Sequence, residues 1–322
     1  MKHKTALVFG CYGQDGSLIS KSLLEKNYQV IGTARNGMSE RNNLSKLEIK
    51  NEVLIEKGDI KEIKFIEDIM KQYEPDEMYN LAAQSSVSKS YYNPIMTFES
   101  IVNGSINILE VSKRLNYKGR IFFAGSSEIF GNTSTKAGVD HHQKPENPYA
   151  IAKQTSFKLV KLYREVYKLN CMTGILFNHE SQLREELFVT QKIISGAIKA
   201  SKDKSHTIEL GNINIARDWG WAEEYVEAMQ IIARSSHIKD QVICTGKLTT
   251  LKEFINIAYS KFNLRWEDHV IINNCLKRKN DILQSFGNPD PLEKDLKWKA
   301  KINIDGVISN MIVAHMKKES KY

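Results

Sequence analysis

Tyr149 and Lys153 stand four residues apart in YAIAK, so on a helix they share one face, with Pro148 suited to the helix start. A tyrosine hydroxyl titrates at about pH 10 and is a poor base at neutral pH. A nearby ammonium and the positive ring of an oxidised nicotinamide would both favour its phenolate. Such a pair can take the proton from a sugar hydroxyl as hydride leaves the same carbon. Upstream, in AGSSEIFG, Ser126 offers a hydroxyl to the oxygen being oxidised, and Ser127 beside it is a substrate contact. Glu128 adds a second kind of chemistry. A carboxylate beside the sugar can remove the C5 proton once C4 is a ketone, and its conjugate acid can protonate the departing C6 hydroxyl. Ser126, Glu128, Tyr149 and Lys153 thus read as a dehydratase set; the alternative for Glu128 is a structural carboxylate capping its loop.

This chemistry needs a hydride acceptor. GCYGQDG places Gly10, Gly13 and Gly16 where a first strand turns into a helix, and missing side chains there let the backbone approach a pyrophosphate at the helix N-terminus. Gln14 and Asp15, inside the same turn, belong to this cofactor set. The GxxGxxG spacing is the form found in short-chain dehydrogenases. At the end of the second strand, where a cofactor lacking a 2′-phosphate meets an acidic residue, the chain has Arg35. A cation there favours NADP; a plain surface arginine is the alternative. Asp59 and Ile60, after the third strand, are placed near the adenine, although an aspartate there is also an ordinary helix cap. Leu81 and Ala82, at the end of the fourth strand, complete the cofactor residues.

Positioning these groups requires a particular scaffold. Short apolar runs at 5–10, 28–34, 53–56, 77–82, 119–124 and 171–177 alternate with helical patterns at 60–72, 95–115 and 148–167. That order predicts an α/β fold with a Rossmann-type, doubly wound parallel sheet and right-handed crossovers. Beyond 177 the rhythm loosens, with one helix near 188–202. The expected organisation is an NADP-binding domain over 1–177 and a smaller α/β substrate lobe over 178–322, some of whose segments return to the first domain. The ligand is expected between the two.

With 322 residues, 41% apolar and 26% charged, the chain can bury a large core. No apolar run approaches the roughly 18 residues of a membrane span, and the stretch at 6–11 is too short for a signal core. A cytoplasmic protein without a membrane partner is expected. The four cysteines, Cys11, Cys171, Cys244 and Cys275, are isolated from one another and from any histidine cluster, which points to buried free thiols and to no metal. The net charge of +8 is spread along the chain without a dense basic block, so nucleic acid is not an expected partner. A phosphate-bearing small molecule needs only two or three of those cations.

The whole chain resembles the GDP-mannose 4,6-dehydratases, within the extended short-chain dehydrogenase family. The resemblance rests on GCYGQDGS, YNLAAQSSVSKSY, SSEIFG, NPYAIAK, YREVY, GILFNHES, FVTQKI, LGNINIARDWGWAEEYVEAM and LKWK; GILFNHES with ARDWG is its specific part. It implies a nucleotide-sugar substrate, favouring a GDP-hexose such as GDP-mannose, whose C4 is oxidised by NADP. Water then leaves across C5 and C6 through Glu128, and hydride returns to C6 with no net redox. By the same matching, Ser85 and Asn178 touch the sugar or its phosphate, while Lys192 and Arg217 face the nucleotide. Arg278 matches a phosphate-binding arginine, and Asp281 falls where the family has a ribose-holding glutamate.

Four departures stand out. Ser126 replaces a threonine, Trp221 replaces a small polar ring, Gln182 and Leu183 replace Pro-Arg before Arg184, and Arg35-Asn36 replaces a pair of arginines. The loop that follows Arg35 is shorter than the family's tetramer-building loop. A homodimer through the helices at 95–115 and 148–167 is therefore expected, with a tetramer as the alternative. Two rival functions stay open: a GDP-4-keto-6-deoxy-hexose reductase or epimerase of the same fold, and a non-catalytic NADP-binding protein.

Overall fold

Thr5–Phe9 forms β1, a strand buried along its whole length, as the centre of a parallel sheet covered on both faces requires. Its side chains alternate between two cores. Ala6 and Val8 join Leu18, Ile19, Tyr225 and Met229 on one face; Leu7 and Phe9 join Ile66, Ile69, Ile108 and Val160 on the other. The structure, a computed structural model, describes residues 3–35, 43–276 and 280–319.

After β1 come α1 (Gln14–Leu24), β2 (Gln29–Ala34), α2 (Asn43–Lys46), β3 (Leu54–Lys57), α3 (Ile63–Tyr73) and β4 (Glu77–Asn80). Next are α4 (Val87–Tyr92), α5 (Pro94–Phe98), α6 (Gly104–Arg114), β5 (Arg120–Ala124), α7 (Pro148–Tyr167), β6 (Cys171–Leu176) and β7 (Asn178–Glu180). The remainder holds α8 (Val189–Lys202), β8 (Ile208–Leu210), β9 (Ala216–Arg217), β10 (Trp219–Trp221), α9 (Ala222–Arg234) and β11 (Gln241–Ile243). It ends with β12 (Thr249–Thr250), α10 (Leu251–Ser260), β13 (Val270–Ile272), β14 (Gln284–Ser285), α11 (Asp290–Leu296) and α12 (Ile304–Glu319).

The main sheet has seven strands in the order β11-β6-β5-β4-β1-β2-β3, and every pairing is parallel. This is the expected doubly wound α/β sheet, with one strand more than the six runs read from the sequence. α9 and β11 come from beyond residue 177: β11 extends the sheet edge beside β6, and α9 packs with α1 in one core. A separate apolar cluster joins α8, α10 and α12 through Ile193, Ile194, Phe254, Ile255, Ile308 and Met311. Trp221 is buried in that cluster, so the bulky replacement is absorbed by packing.

Three element boundaries differ from the expected ones. The helix anticipated from residue 60 starts at Ile63, because Glu62 is its N-cap and the Asp59 carboxylate accepts the Lys61 N–H in a preceding turn, at 3.0 Å. Asp59 is therefore not the helix cap. The pattern over 95–115 is helical but interrupted by a π turn at Glu99–Asn103. The run at 171–177 leaves the main sheet at Leu176, and β7 pairs instead with β10. Cys11, Cys171 and Cys244 are buried free thiols, whereas Cys275 is exposed on a short turn after β13.

Candidate active site

β1 ends at Gly10, which sits at φ +81° with the Ala82 backbone so close that a Cβ would lie 2.8 Å from its Cα. A side chain at Gly16 would meet the Gly10 carbonyl oxygen at 2.2 Å. These two contacts bring the turn tight against β4 and leave α1 capped by Gly13 without a side-chain acceptor, so its first N–H groups stay available to an anion. In front of the turn lies a cleft of ≈ 550 Å³, bordered by Gly10, Gly13, Arg35, Ile60, Leu81, Ala82 and Ser85. Its size and its Gly-rich floor fit an extended dinucleotide. Of the expected sugar contacts, Ser85 shares this cleft. An adjoining hollow is bordered by Arg35, Lys57, Gly58, Asp59 and Glu62. Lys57, missed in the sequence, pairs in register with Ala34 just before Arg35, and neither cation forms an ion pair with a described residue.

The other half of the site stands at the ends of β5 and α7. Asn147 caps α7 and Pro148 takes its first position, which sets Tyr149 and Lys153 one turn apart. The Lys153 ammonium donates to the Ala124 carbonyl at 2.7 Å and lies 5.8 Å from the centre of the Tyr149 ring. Burial pushes Lys153 down to about 8. Burial likewise pushes the Tyr149 phenol up to about 12, against the opposing hydrogen bond with Ser126. Desolvation of the buried anion here exceeds the help of its protein neighbours, so the phenolate depends on the positive nicotinamide ring expected alongside the ammonium. Ser126 caps the short 3-10 turn Ser127–Phe130, its hydroxyl accepting the Glu128 N–H at 3.3 Å. Glu128 Oε2 accepts from Asn147 Nδ2 at 2.9 Å.

The side chains of Gln14 and Asp15 turn toward β7 and the residue after it. Gln14 Nε2 donates to the His179 carbonyl at 3.2 Å, and Ser181 Oγ donates to Gln14 Oε1 at 2.8 Å. His179 Nε2 meets both Asp15 oxygens, its Nδ1 lies 2.7 Å from the Phe177 carbonyl, and its ring stacks on Tyr225 at 4.7 Å. Burial opposes both charges. The His179 charge and hydrogen bond nevertheless bring Asp15 to about 2, and Asp15 with the Phe177 carbonyl raises His179 above its usual range. Beside this pair, Arg184 Nε is 3.1 Å from Glu180 Oε2, and its guanidinium carbon is 3.7 Å from the centre of the Phe188 ring. HES in GILFNHES was the sequence signal here, but its partners across the fold were not.

The remaining expected contacts are dispersed. Asn178 begins β7 opposite Trp219. Lys192 is exposed on α8 and donates to the Glu209 carbonyl at 2.7 Å. Arg217 is buried in β9, between β12 and β14, with Nη1 3.0 Å from the Ala216 carbonyl. Asp281 lies just before β14, and Arg278 lies outside the described residues. No group of three or more potential metal ligands occurs among the described residues. No helix there is long and apolar enough to cross a membrane.

A sequence model of the family described as GDP-mannose 4,6 dehydratase matches residues 7–311. The chain belongs to the GDP-mannose 4,6-dehydratase family. GDP-mannose 4,6 dehydratase 1 of Arabidopsis thaliana is 33% identical over 96% of this chain and 89% of its own length. GDP-mannose 4,6 dehydratase 2 of Caenorhabditis elegans is 34% identical over 97% and 89%. Among solved structures, UDP-glucose 4-epimerase of Thermotoga maritima, with UDP-glucose, superposes with a TM-score of 0.87 at 19% identity, covering 98% of this chain and 99% of that one. dTDP-glucose 4,6-dehydratase of Bacillus anthracis, in complex with NAD, gives 0.85 at 16% identity, covering 99% and 98%. Those two share the fold. Glu128 directly follows the serine pair, on a short turn facing the α7 cap.

Proposed function

We propose that this chain is an NADP-dependent GDP-hexose 4,6-dehydratase that converts GDP-mannose to its 4-keto-6-deoxy form. The observation that carries this reading is the carboxylate of Glu128, two residues after Ser126 and joined to the cap of the helix bearing Tyr149 and Lys153. Gly10, Gly13, Gln14, Asp15, Gly16, Arg35, Asp59, Ile60, Leu81 and Ala82 would hold the cofactor, which supplies a reversible hydride acceptor when bound. Arg35 and Lys57 are the cations that favour a 2′-phosphate.

Tyr149 takes the proton of the C4 hydroxyl, with Ser126 hydrogen-bonded to the same oxygen and Lys153 held behind the phenol by the Ala124 carbonyl. Glu128 moves the C5 proton to the C6 hydroxyl, which departs as water. Asn178, Lys192, Arg217, Ser85 and Ser127 belong to the sugar-nucleotide contacts, so residues 1–177 serve the dinucleotide and 178–322 mainly the substrate. Exposed Ile95, Leu162 and Val166 on α5 and α7 support a homodimer through those helices. Buried unpaired thiols fit a cytoplasmic setting.

Incubating the protein with GDP-, UDP- and dTDP-linked hexoses, each with NADP or NAD, tests the assignment. The GDP-mannose and NADP combination is expected to give the most product. Equal or better turnover of a UDP- or dTDP-hexose would overturn the nucleotide assignment.

A further inference from the structure

Asn147 is buried and its amide is used at both ends. Oδ1 accepts the Ala150 N–H at 2.8 Å, capping α7, and this fixes Nδ2 toward Glu128 Oε2 at 2.9 Å. The orientation is forced, since a flipped amide would set its N–H groups against a donor and its oxygen against a carboxylate. Pro148 has no N–H, so the cap bond at Ala150 is a main anchor of the first helical turn. The other side of the contact is equally anchored, because the Glu128 N–H is bound by Ser126 Oγ at 3.3 Å. One side chain therefore couples the helix that carries Tyr149 and Lys153 to the turn that carries Glu128.

We infer that Asn147 is a positioning residue for the elimination step, holding Oε2 of Glu128 so that Oε1 is the oxygen that exchanges a proton with the sugar. This role rests on the dehydratase reading above. Oε1 takes the C5 proton, the C5–H electron pair becomes the C5=C6 double bond, and the C6–O bond breaks. The proton on Oε1 passes to the leaving hydroxyl, so one water departs and Glu128 returns as a carboxylate. Throughout, the Asn147 N–H donates to Oε2, which is an acceptor whether or not Oε1 is protonated. The amide thus keeps the travelling proton on the oxygen that faces the substrate.

Asn147→Ser separates the two uses of the side chain. Serine caps helices as well as asparagine does, yet its shorter side chain withdraws the donor from Oε2. With Asn147→Ser, the thermal midpoint and NADP affinity are expected to stay near wild type, as is the KM for GDP-mannose. Solvent-deuterium incorporation at C5 and kcat should fall together by on the order of 10²-fold, the cost of misplacing a reacting group. Reduced nicotinamide should accumulate in a single turnover, because C4 oxidation still proceeds. Wild-type exchange at C5 in Asn147→Ser would overturn the inference, as would loss of C4 oxidation in step with a fall in thermal midpoint, the behaviour of a cap alone. A wild-type protein that neither exchanges C5 nor releases water removes the functional reading, and this role with it.

Discussion

His179 Nε2 lies 3.1 and 3.0 Å from the two carboxylate oxygens of Asp15, a partly buried ion pair that fastens the start of α1 to β7. It connects the glycine turn of the dinucleotide cleft to the strand that begins with Asn178. Because Asp15 is depressed to about 2, its contribution is present above its unfolded value and is lost as pH falls through about 2. Because His179 is raised, its contribution is complete below its unfolded value and is lost as pH rises through its higher folded one. The stability drawn from the pair is thus complete between about pH 4 and pH 6.5, the two unfolded values.

His179→Asn takes the charged hydrogen-bond partner from the half-buried Asp15, and a loss of about 1.5–3 kcal/mol is expected near pH 5.5. Urea unfolding of wild type and variant should show that gap narrowing as pH rises through the raised His179 value and the wild-type imidazolium is lost. A gap that does not change with pH would mean that packing on Tyr225, and not charge, is what His179 contributes.

Glu128→Gln keeps the volume of the side chain and removes its capacity to carry a proton. Dehydration of GDP-mannose is expected to fall by about 10²–10⁴-fold, while NADP binding, measured by fluorescence or calorimetry, stays as in wild type. Normal turnover in the variant would assign the C5 proton to another group.

The fold was legible in the chain because its parallel strands are nearly continuous apolar runs broken by helical periodicity. The strand at Gln241–Ile243 was not, since three residues carry no usable period and its place beside β6 is a long-range contact. Gly10, Gly13, Arg35, Ile60, Leu81 and Ala82 could be picked out by their positions after successive strands, and they do line one cleft, which Ser85, named by the family resemblance, also borders. Lys57 could not, because nothing near it in sequence tells that its strand lies in register against the one ending at Ala34. Asn147 carried a signal, an asparagine before a helix-starting proline, but its bond to Glu128 spans 19 positions. The partners of His179, 164 residues away at Asp15, lay equally beyond local pattern.

Cofactor choice is expected to rest on Arg35 with Lys57. Arg35→Ala should weaken NADPH binding by about 10- to 10²-fold, the worth of about 1.5–3 kcal/mol for a hydrogen bond to a charged group, and leave NADH binding unchanged. Lys57→Ala should act in the same direction with a smaller effect, as a point charge without the guanidinium fork. Titration of both variants with both cofactors checks this, and a parallel loss for NADH would show that the cations serve the pyrophosphate instead.

The most direct test of dehydration is to supply GDP-mannose deuterated at C4, with catalytic NADP and no reductant, and to analyse the product by mass spectrometry and NMR. A product lighter by one water, with the deuterium at C6 and no net change in reduced cofactor, is the predicted result. Stoichiometric consumption of NADPH, or a product that keeps its C6 oxygen, would contradict the account.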